Sequence, residues 1–163
     1  MPRLTTIPFP ATRFVPGSAN PGPRPADHQV LTPHWPADPR AWWESLDYLW
    51  GIDLFNAGFC WESHEALEAA WKQLRAHPTP ESTRAAHALR AIIQIAAARI
   101  KHETGNPLGV RTLIERASAN LALTVDPANP GARVIGLDLA SWHRGARAWL
   151  DHPSGPFPRL NPA

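Results

Sequence analysis

Apolar residues recur at three- and four-residue spacing through the middle of the chain, which predicts a series of α-helices. The first predicted helix covers about residues 39–57, with Asp38 as its cap and Pro39 in its first turn. Gly58 can adopt the left-handed conformation that ends a helix, so a second helix is expected over 59–76. The two helices then form one antiparallel hairpin.

Three more helices are expected, and each begins with a recognisable cap. The third covers about 80–103 and is apolar in nearly every direction, which predicts a buried central helix. The fourth covers about 107–123, and a last helix continues to about Leu150. The caps, with the prolines that follow two of them, are Thr79 and Pro80, Asn106 and Pro107, and Asp138.

These elements predict an all-α fold: an antiparallel helical bundle of about five helices over residues 38–150, with two αα-hairpins and a C-terminal helix. A tetratricopeptide-like pair is the nearest alternative, although such arrays normally need three or more units. The 19 prolines concentrate toward the two ends. Because proline lacks an N–H and disfavours helix in the residue before it, we expect an extended Pro-rich arm over 1–37 and a Pro-rich tail over 151–163.

Composition excludes several classes of protein. A hydrophobic content of 44% over 163 residues is enough for one core. Cys60 is the one cysteine, which excludes an intramolecular disulfide and a cysteine-based zinc cage. No segment approaches the roughly 20 apolar residues of a membrane span, so we expect no membrane partner and a cytoplasmic location. A net charge of +2 with scattered arginines does not favour a nucleic-acid partner.

Eight tryptophans are many for this length, and they suggest a partner surface as well as a core. Trp35 lies in the arm, while Trp42 and Trp43 lie at the start of the first predicted helix. Because large aromatic residues are enriched in protein interfaces, we expect a homo-oligomer or a protein partner to bind through the arm and this Trp-rich helix.

The segment NAGFCWESHEALEAAWKQL, residues 56–74, carries the main candidate site. His64, Glu68 and Trp71 share one stripe of the predicted helix at spacings of four and three, whereas Glu62 points to another side. The letters HEALE match the His-Glu-x-x-His frame of metalloproteases except that Glu68 replaces the second histidine. His64 and Glu68 could therefore hold a divalent metal such as zinc, with Glu65 as the general base of a hydrolase.

A metal site of this kind needs a third ligand, and the central helix offers His87, Gln94 or His102. A structural interpretation explains the same residues without metal. Glu62, in the first turn, can cap free N–H groups at the positive end of the helix, and Glu68 can pair with Lys72 at i,i+4. His64 would accept a hydrogen bond from Gln94 across the helix interface, and Trp71 would lie in the core.

We favour the structural interpretation, a noncatalytic scaffold or binding module with a Glu/His polar cluster at a helix interface. The alternative is a metal-binding protein or a metal-dependent hydrolase that uses His64, Glu65 and Glu68. The two differ in what the side chains contact. A structural cluster bonds to backbone or to Gln94, whereas an enzyme needs three ligands that converge on a pocket.

Two separated motifs also suggest a family. LFNAGFCWESHEALEAAW, residues 54–71, together with IIQIAAARIKHETGNPLG, residues 92–109, resembles the prokaryotic family known as domain of unknown function 309. The resemblance covers about residues 46–123. Cys60 replaces a usual aromatic residue and Ser63 a usual alanine, while the polar signature is intact. The family implies an all-helical fold and no established activity.

Overall fold

The computed structural model describes residues 2–26, 29–32, 34–38, 40–126, 128–129, 131–152 and 155–163, with Leu150 as backbone only. Over these residues the fold is all-α, with no strand, which confirms the predicted bundle of five helices. A short 3₁₀ helix precedes the first α-helix. The elements are Trp42–Glu44 (3₁₀), α1 Leu46–Asn56, α2 Cys60–Ala76, α3 Pro80–Glu103, α4 Pro107–Ala122 and α5 Leu139–Asp151.

The expected helix ends are present in five places. The Thr79 side chain accepts the Ser82 N–H, and Asn106 and Asp138 cap α4 and α5 in the same way. Gly58 and Gly105 have φ values of 84° and 68°, in the left-handed region where glycine costs little. These local signals set the bounds of α2, α3, α4 and α5 to within about two residues of the prediction.

The predicted start of the first helix is wrong. α1 begins at Leu46, and its cap is Ser45, whose side chain accepts the Tyr48 N–H. Asp38 instead bonds the backbone N–H and the Nε of Arg40 at 2.9 and 3.0 Å. A carboxylate bonded two residues ahead forms a local turn that competes with a helix start. Pro39, the expected first residue, lies outside the described residues.

α3 is the buried central helix that its composition predicts. It packs against α2 on one side and α4 on the other. Its alanines and isoleucines are buried on nearly every face, and Leu89 and Ile92 have no exposed surface. Full burial of one such side chain contributes about 1.5–3 kcal/mol, so this helix supplies much of the hydrophobic stabilisation.

α1 and α2 approach closely because small residues face each other. A Cβ at Gly51 would lie 2.6 Å from Cδ2 of Leu67, so a larger residue would force the helices apart. Ser63 Oγ, fully buried, donates to the Gly51 carbonyl at 2.9 Å. The serine that departs from the family pattern therefore adds a bond between the two helices.

The Pro-rich arm has no helix or strand in its described residues, and it lies against α1 and α2. Phe9 stacks on Phe59, and Phe14 meets Trp61 edge-on, each with ring centroids 5.3 Å apart. The tail is also attached. Asn56 exchanges two hydrogen bonds of 2.8 Å with the backbone of Leu160, whose side chain is fully buried.

None of the helices in the described part of the chain combines the length and apolar character needed to cross a bilayer.

Candidate functional site

Three metal-ligating side chains of α2 converge. His64, Glu65 and Glu68, hereafter the α2 cluster, each offer one ligand atom, and these atoms lie within 4.8 Å of one another. The His64 Nδ1 and Glu65 Oε1 atoms are 3.1 Å apart, and the side chains are 28% and 34% exposed. An imidazole and two carboxylates are ligand types that zinc uses. The α2 cluster is thus accessible from solvent and chemically suited to a divalent ion.

Helical geometry positions the α2 cluster, because residues four apart lie one above the other on a helix. Trp61, one turn earlier, stacks on the His64 ring with centroids 5.8 Å apart and planes 18° apart. This stacking restrains the imidazole. Glu68 Oε1 lies 3.5 Å from Lys72 Nζ, the expected i,i+4 pair, and Lys72 is 66% exposed. Such a surface pair contributes little, so it does not block Glu68 from another ligand.

Glu62 lies apart from the α2 cluster and is 5% exposed. Its Oε1 accepts the backbone N–H of Phe14 at 2.9 Å. Its Oε2 is buried and has no hydrogen-bond partner among the described residues. The expected capping of α2 is therefore corrected: the hydrogen bond of Glu62 goes to the arm.

The three possible metal ligands on α3 contact other residues. Gln94 Oε1 accepts from Asn120 Nδ2 at 3.1 Å, and Gln94 and His64, which are both among the described residues, make no hydrogen bond to each other, so that expected bond is wrong. His87 Nδ1 lies 3.0 Å from the Asn120 Oδ1, and the His102 ring meets Trp149 edge-on at 5.4 Å. The third group beside His64 and Glu68 comes from the same helix and is Glu65.

Trp71 is half-buried and packs against the core, as the structural interpretation expects. Two guanidinium groups also contact its ring. Arg75 and Arg90 lie 4.9 and 5.0 Å from the ring centroid. The positive charges favour the electron-rich face of the indole.

Two buried carboxylates of α1 were not among the predicted site residues. Asp53 accepts the backbone N–H groups of Leu4 and Thr5 at 2.8 and 2.9 Å. Asp47 accepts those of Leu31 and Thr32, the shortest at 2.6 Å. A signal was present in the sequence, because Asp53 falls on the apolar stripe of the first predicted helix. A buried carboxylate needs hydrogen-bond donors, and backbone N–H groups of the arm, which lie in no helix or strand, supply them.

Cys60 is not an activated nucleophile. Burial, with the nearby Glu103 carboxylate next in effect, raises the pKa of the Cys60 thiol to about 12. Thiolate, the reactive form, is therefore scarce near neutral pH. The residue acts as a small buried hydrophobe.

The geometry so far defines an all-helical bundle protein with a His/Glu cluster on its second helix. A family model described as Domain of unknown function (DUF309) matches residues 48–113 and confirms the resemblance. The matched segment takes in most of α1, all of α2 and α3, and the start of α4. Neither the curated proteins nor the solved structures yielded a match to the chain.

Proposed function

We propose that this DUF309 protein is a noncatalytic binding module whose α2 cluster takes up a divalent metal ion such as zinc. The observation that carries the proposal is the convergence of His64, Glu65 and Glu68, whose ligand atoms lie within 4.8 Å of one another. All three project from one rigid helix. A site built on a helix holds its ligands more accurately than a site on loops.

The spacing of the two nearest ligands suits zinc. Zinc bonds of about 2.0–2.1 Å in a tetrahedron place two ligand atoms about 3.3 Å apart. His64 Nδ1 and Glu65 Oε1 are 3.1 Å apart, so they need little movement. A metal ion would replace the hydrogen bond between the two groups, and Glu68 would leave its weak pair with Lys72.

The arrangement favours binding over hydrolysis. The hydrolase alternative uses Glu65 as a general base and needs a third ligand from α3. Gln94 and His87 are both bonded to Asn120, and Glu65 stands where the third ligand would be. A carboxylate bound to the metal is no longer the free base that the reaction requires. The remaining coordination positions suit water or a group from another molecule.

The proposal also includes a protein partner or a second copy of the chain, and a cytoplasmic location. Trp43 and Leu46, at the Trp-rich start of the bundle, are 58% and 45% exposed. Exposed apolar residues of this size support binding of a protein partner or of a second copy here. A cytoplasmic location fits a chain whose one cysteine is a buried, unpaired thiol.

The test is zinc titration by isothermal calorimetry on untagged, chelator-treated protein, with elemental analysis after dialysis. We expect about one zinc per chain, and a loss of affinity of about tenfold or more in His64→Ala, since three-ligand sites depend on each ligand. His77→Ala is the matched control, because His77 is an exposed histidine at the end of the same helix. It should bind zinc as the unmodified protein does.

Equal zinc affinity in His64→Ala and His77→Ala would contradict the proposal, as would no zinc uptake by the unmodified protein. Circular dichroism of each variant checks that the helices are intact. His64 is partly exposed on α2, so its truncation should leave the fold unchanged.

A further inference from the structure

A cavity of about 220 Å³ lies where the arm crosses α1 and α2. Its size is that of a small molecule, below the usual range of about 300–1,000 Å³ for drug-sized ligands. Two indoles and two carboxylates from the helices form part of the wall, and the arm closes the other side. The lining includes Trp50, Trp61, Glu62 and Glu65 from the helices and Arg24 and Gln29 from the arm.

Glu62, which lines this cavity, has an acceptor that no described residue uses. One carboxylate oxygen holds the Phe14 N–H, and the other, Oε2, has no hydrogen-bond partner among the described residues. The side chain is 95% buried, since 5% of its surface is exposed. A buried carboxylate oxygen without a donor is costly, and a ligand that brings an N–H donor would remove that cost.

We propose that the cavity binds a small organic cation through a primary ammonium group. Glu62 would accept an N–H of the ammonium and Glu65 would add a second negative charge. The indoles of Trp50 and Trp61 would contact the alkyl part and stabilise the positive charge through their faces. Arg24 is exposed on the arm side, where water screens its charge and a polar end of the ligand can face solvent.

The chemistry of the wall distinguishes a primary ammonium from other cations. A quaternary ammonium suits aromatic walls but has no N–H for Glu62. A metal ion prefers several oxygen or nitrogen ligands, whereas much of this wall is apolar. A neutral alcohol brings a donor without the charge. The unused carboxylate oxygen and the indoles together select a group with both an N–H and a positive charge.

This inference goes beyond the proposed metal binding and can fail independently of it. Glu65 is shared by the cavity and the α2 cluster, but Glu62 lies outside the α2 cluster, and His64 and Glu68 are not among the residues that line the cavity. Glu62→Gln therefore tests the cation site without removing a member of the α2 cluster, and Glu68→Gln tests the metal site without removing a residue that lines the cavity.

The experiment is an NMR titration of the ¹⁵N-labelled full chain with n-butylammonium, in a chelating buffer that removes metal. The Nε1–H signal of Trp61, assigned from a Trp61→Phe spectrum, reports binding. We expect saturable shifts with n-butylammonium and at least fivefold weaker binding of tetramethylammonium and of 1-butanol. Glu62→Gln keeps an oxygen for Phe14 but loses the charge, and it should weaken n-butylammonium binding about tenfold or more, as for charge-assisted hydrogen bonds.

His77→Ala is the control, because His77 is exposed at the end of α2 and does not line the cavity, and it should bind n-butylammonium as the unmodified chain does. If Glu62→Gln does not keep the dispersed spectrum of a folded protein, Glu65→Gln replaces it, because Glu65 is 34% exposed and lies on the same wall. Its affinity should fall at least threefold. No saturable shift in the unmodified chain, equal binding of 1-butanol, or unchanged affinity in the carboxamide variant would each overturn the inference.

Discussion

The α3–α4 hairpin and the arm-covered face of α1 and α2 are stabilised by different kinds of contact. In the hairpin, aliphatic side chains such as Leu89, Ile92 and Ile114 are fully buried. On the arm-covered face, helix carboxylates accept backbone N–H groups of the arm. Helices satisfy their own backbone, so packing alone can join them. A proline-rich arm cannot form a ladder, so side chains must bind its backbone.

The same difference distinguishes the segment that matches the family model from the segments on either side of it. Asn56 and Glu62 lie inside the matched residues 48–113, yet Asn56 bonds to the tail and Glu62 to the arm, both outside the match. Polar residues of the matched segment therefore make two kinds of contact. Some bind the arm or the tail, while the side chains of the α2 cluster are partly exposed to solvent.

The substitution with the largest expected effect on stability lies in the buried apolar part of the α3–α4 hairpin. Ile92→Ala removes buried methyl groups from the central helix and leaves a cavity, so the free energy of unfolding should fall by about 2–5 kcal/mol. Urea denaturation followed by circular dichroism measures it. Leu108→Ala is the control, because Leu108 is 74% exposed and its truncation should change stability by less than about 0.5 kcal/mol. Similar losses in both variants would show that burial in α3 does not control stability.

A substitution on the arm-covered face of α1 and α2 should have a smaller effect on stability. Asp53→Asn removes the charge that holds Leu4 and Thr5 and turns one acceptor into a donor, so the free energy of unfolding should fall by about 1–3 kcal/mol. Loss of these hydrogen bonds should also detach the arm locally from α1. Trypsin cleavage after Arg13 should become faster, while the circular dichroism of the helices stays unchanged.

The control for the arm is Asp38→Asn, since Asp38 is exposed and its partner is the neighbouring Arg40. It should leave cleavage after Arg13 as slow as in the unmodified chain. If Asp53→Asn also leaves it unchanged, the carboxylate does not hold the arm, and the aromatic contacts of Phe9 and Phe14 are sufficient.

The hairpin side could be predicted from sequence because its signals are local. Caps such as Thr79 and Asn106, and the glycines after α1 and α3, act within one turn of the helix they end. The pairing of His64 with Glu68 also depends on one helix alone, whereas Glu65 lies where we expected a third ligand from α3. The start of α1 was predicted wrongly because Asp38 and Ser45 are both good caps. Asp38 forms a local turn with Arg40 instead, and Ser45 caps the helix.

The arm side could not be predicted because its contacts join residues distant in sequence. Glu62 and Phe14 are 48 residues apart, and so are Asp53 and Thr5. The partner of Gln94 depends on the rotation of α3 relative to α4, which helical periodicity does not specify. Asp53 on an apolar stripe did indicate a buried carboxylate, but its donors lie in a segment without periodicity.

A still smaller effect should depend on pH, because a histidine side chain contacts α4 from α5. His143 on α5 has its Nε2 2.8 Å from the Ser118 Oγ of α4. Burial, followed by the charge of Arg147, lowers the pKa of His143 below 6.5. The unfolded chain, with its ordinary pKa, therefore binds the proton first as pH falls. Stability from the neutral imidazole is complete above about pH 6.5 and is lost as pH falls through the folded pKa.

We expect the unfolding free energy of the unmodified chain, relative to His143→Gln, to fall by about 0.2–0.5 kcal/mol between pH 7.5 and 5.5, because solvent screens this half-buried group. A difference that stays constant with pH would show that the α4–α5 contact does not depend on the proton.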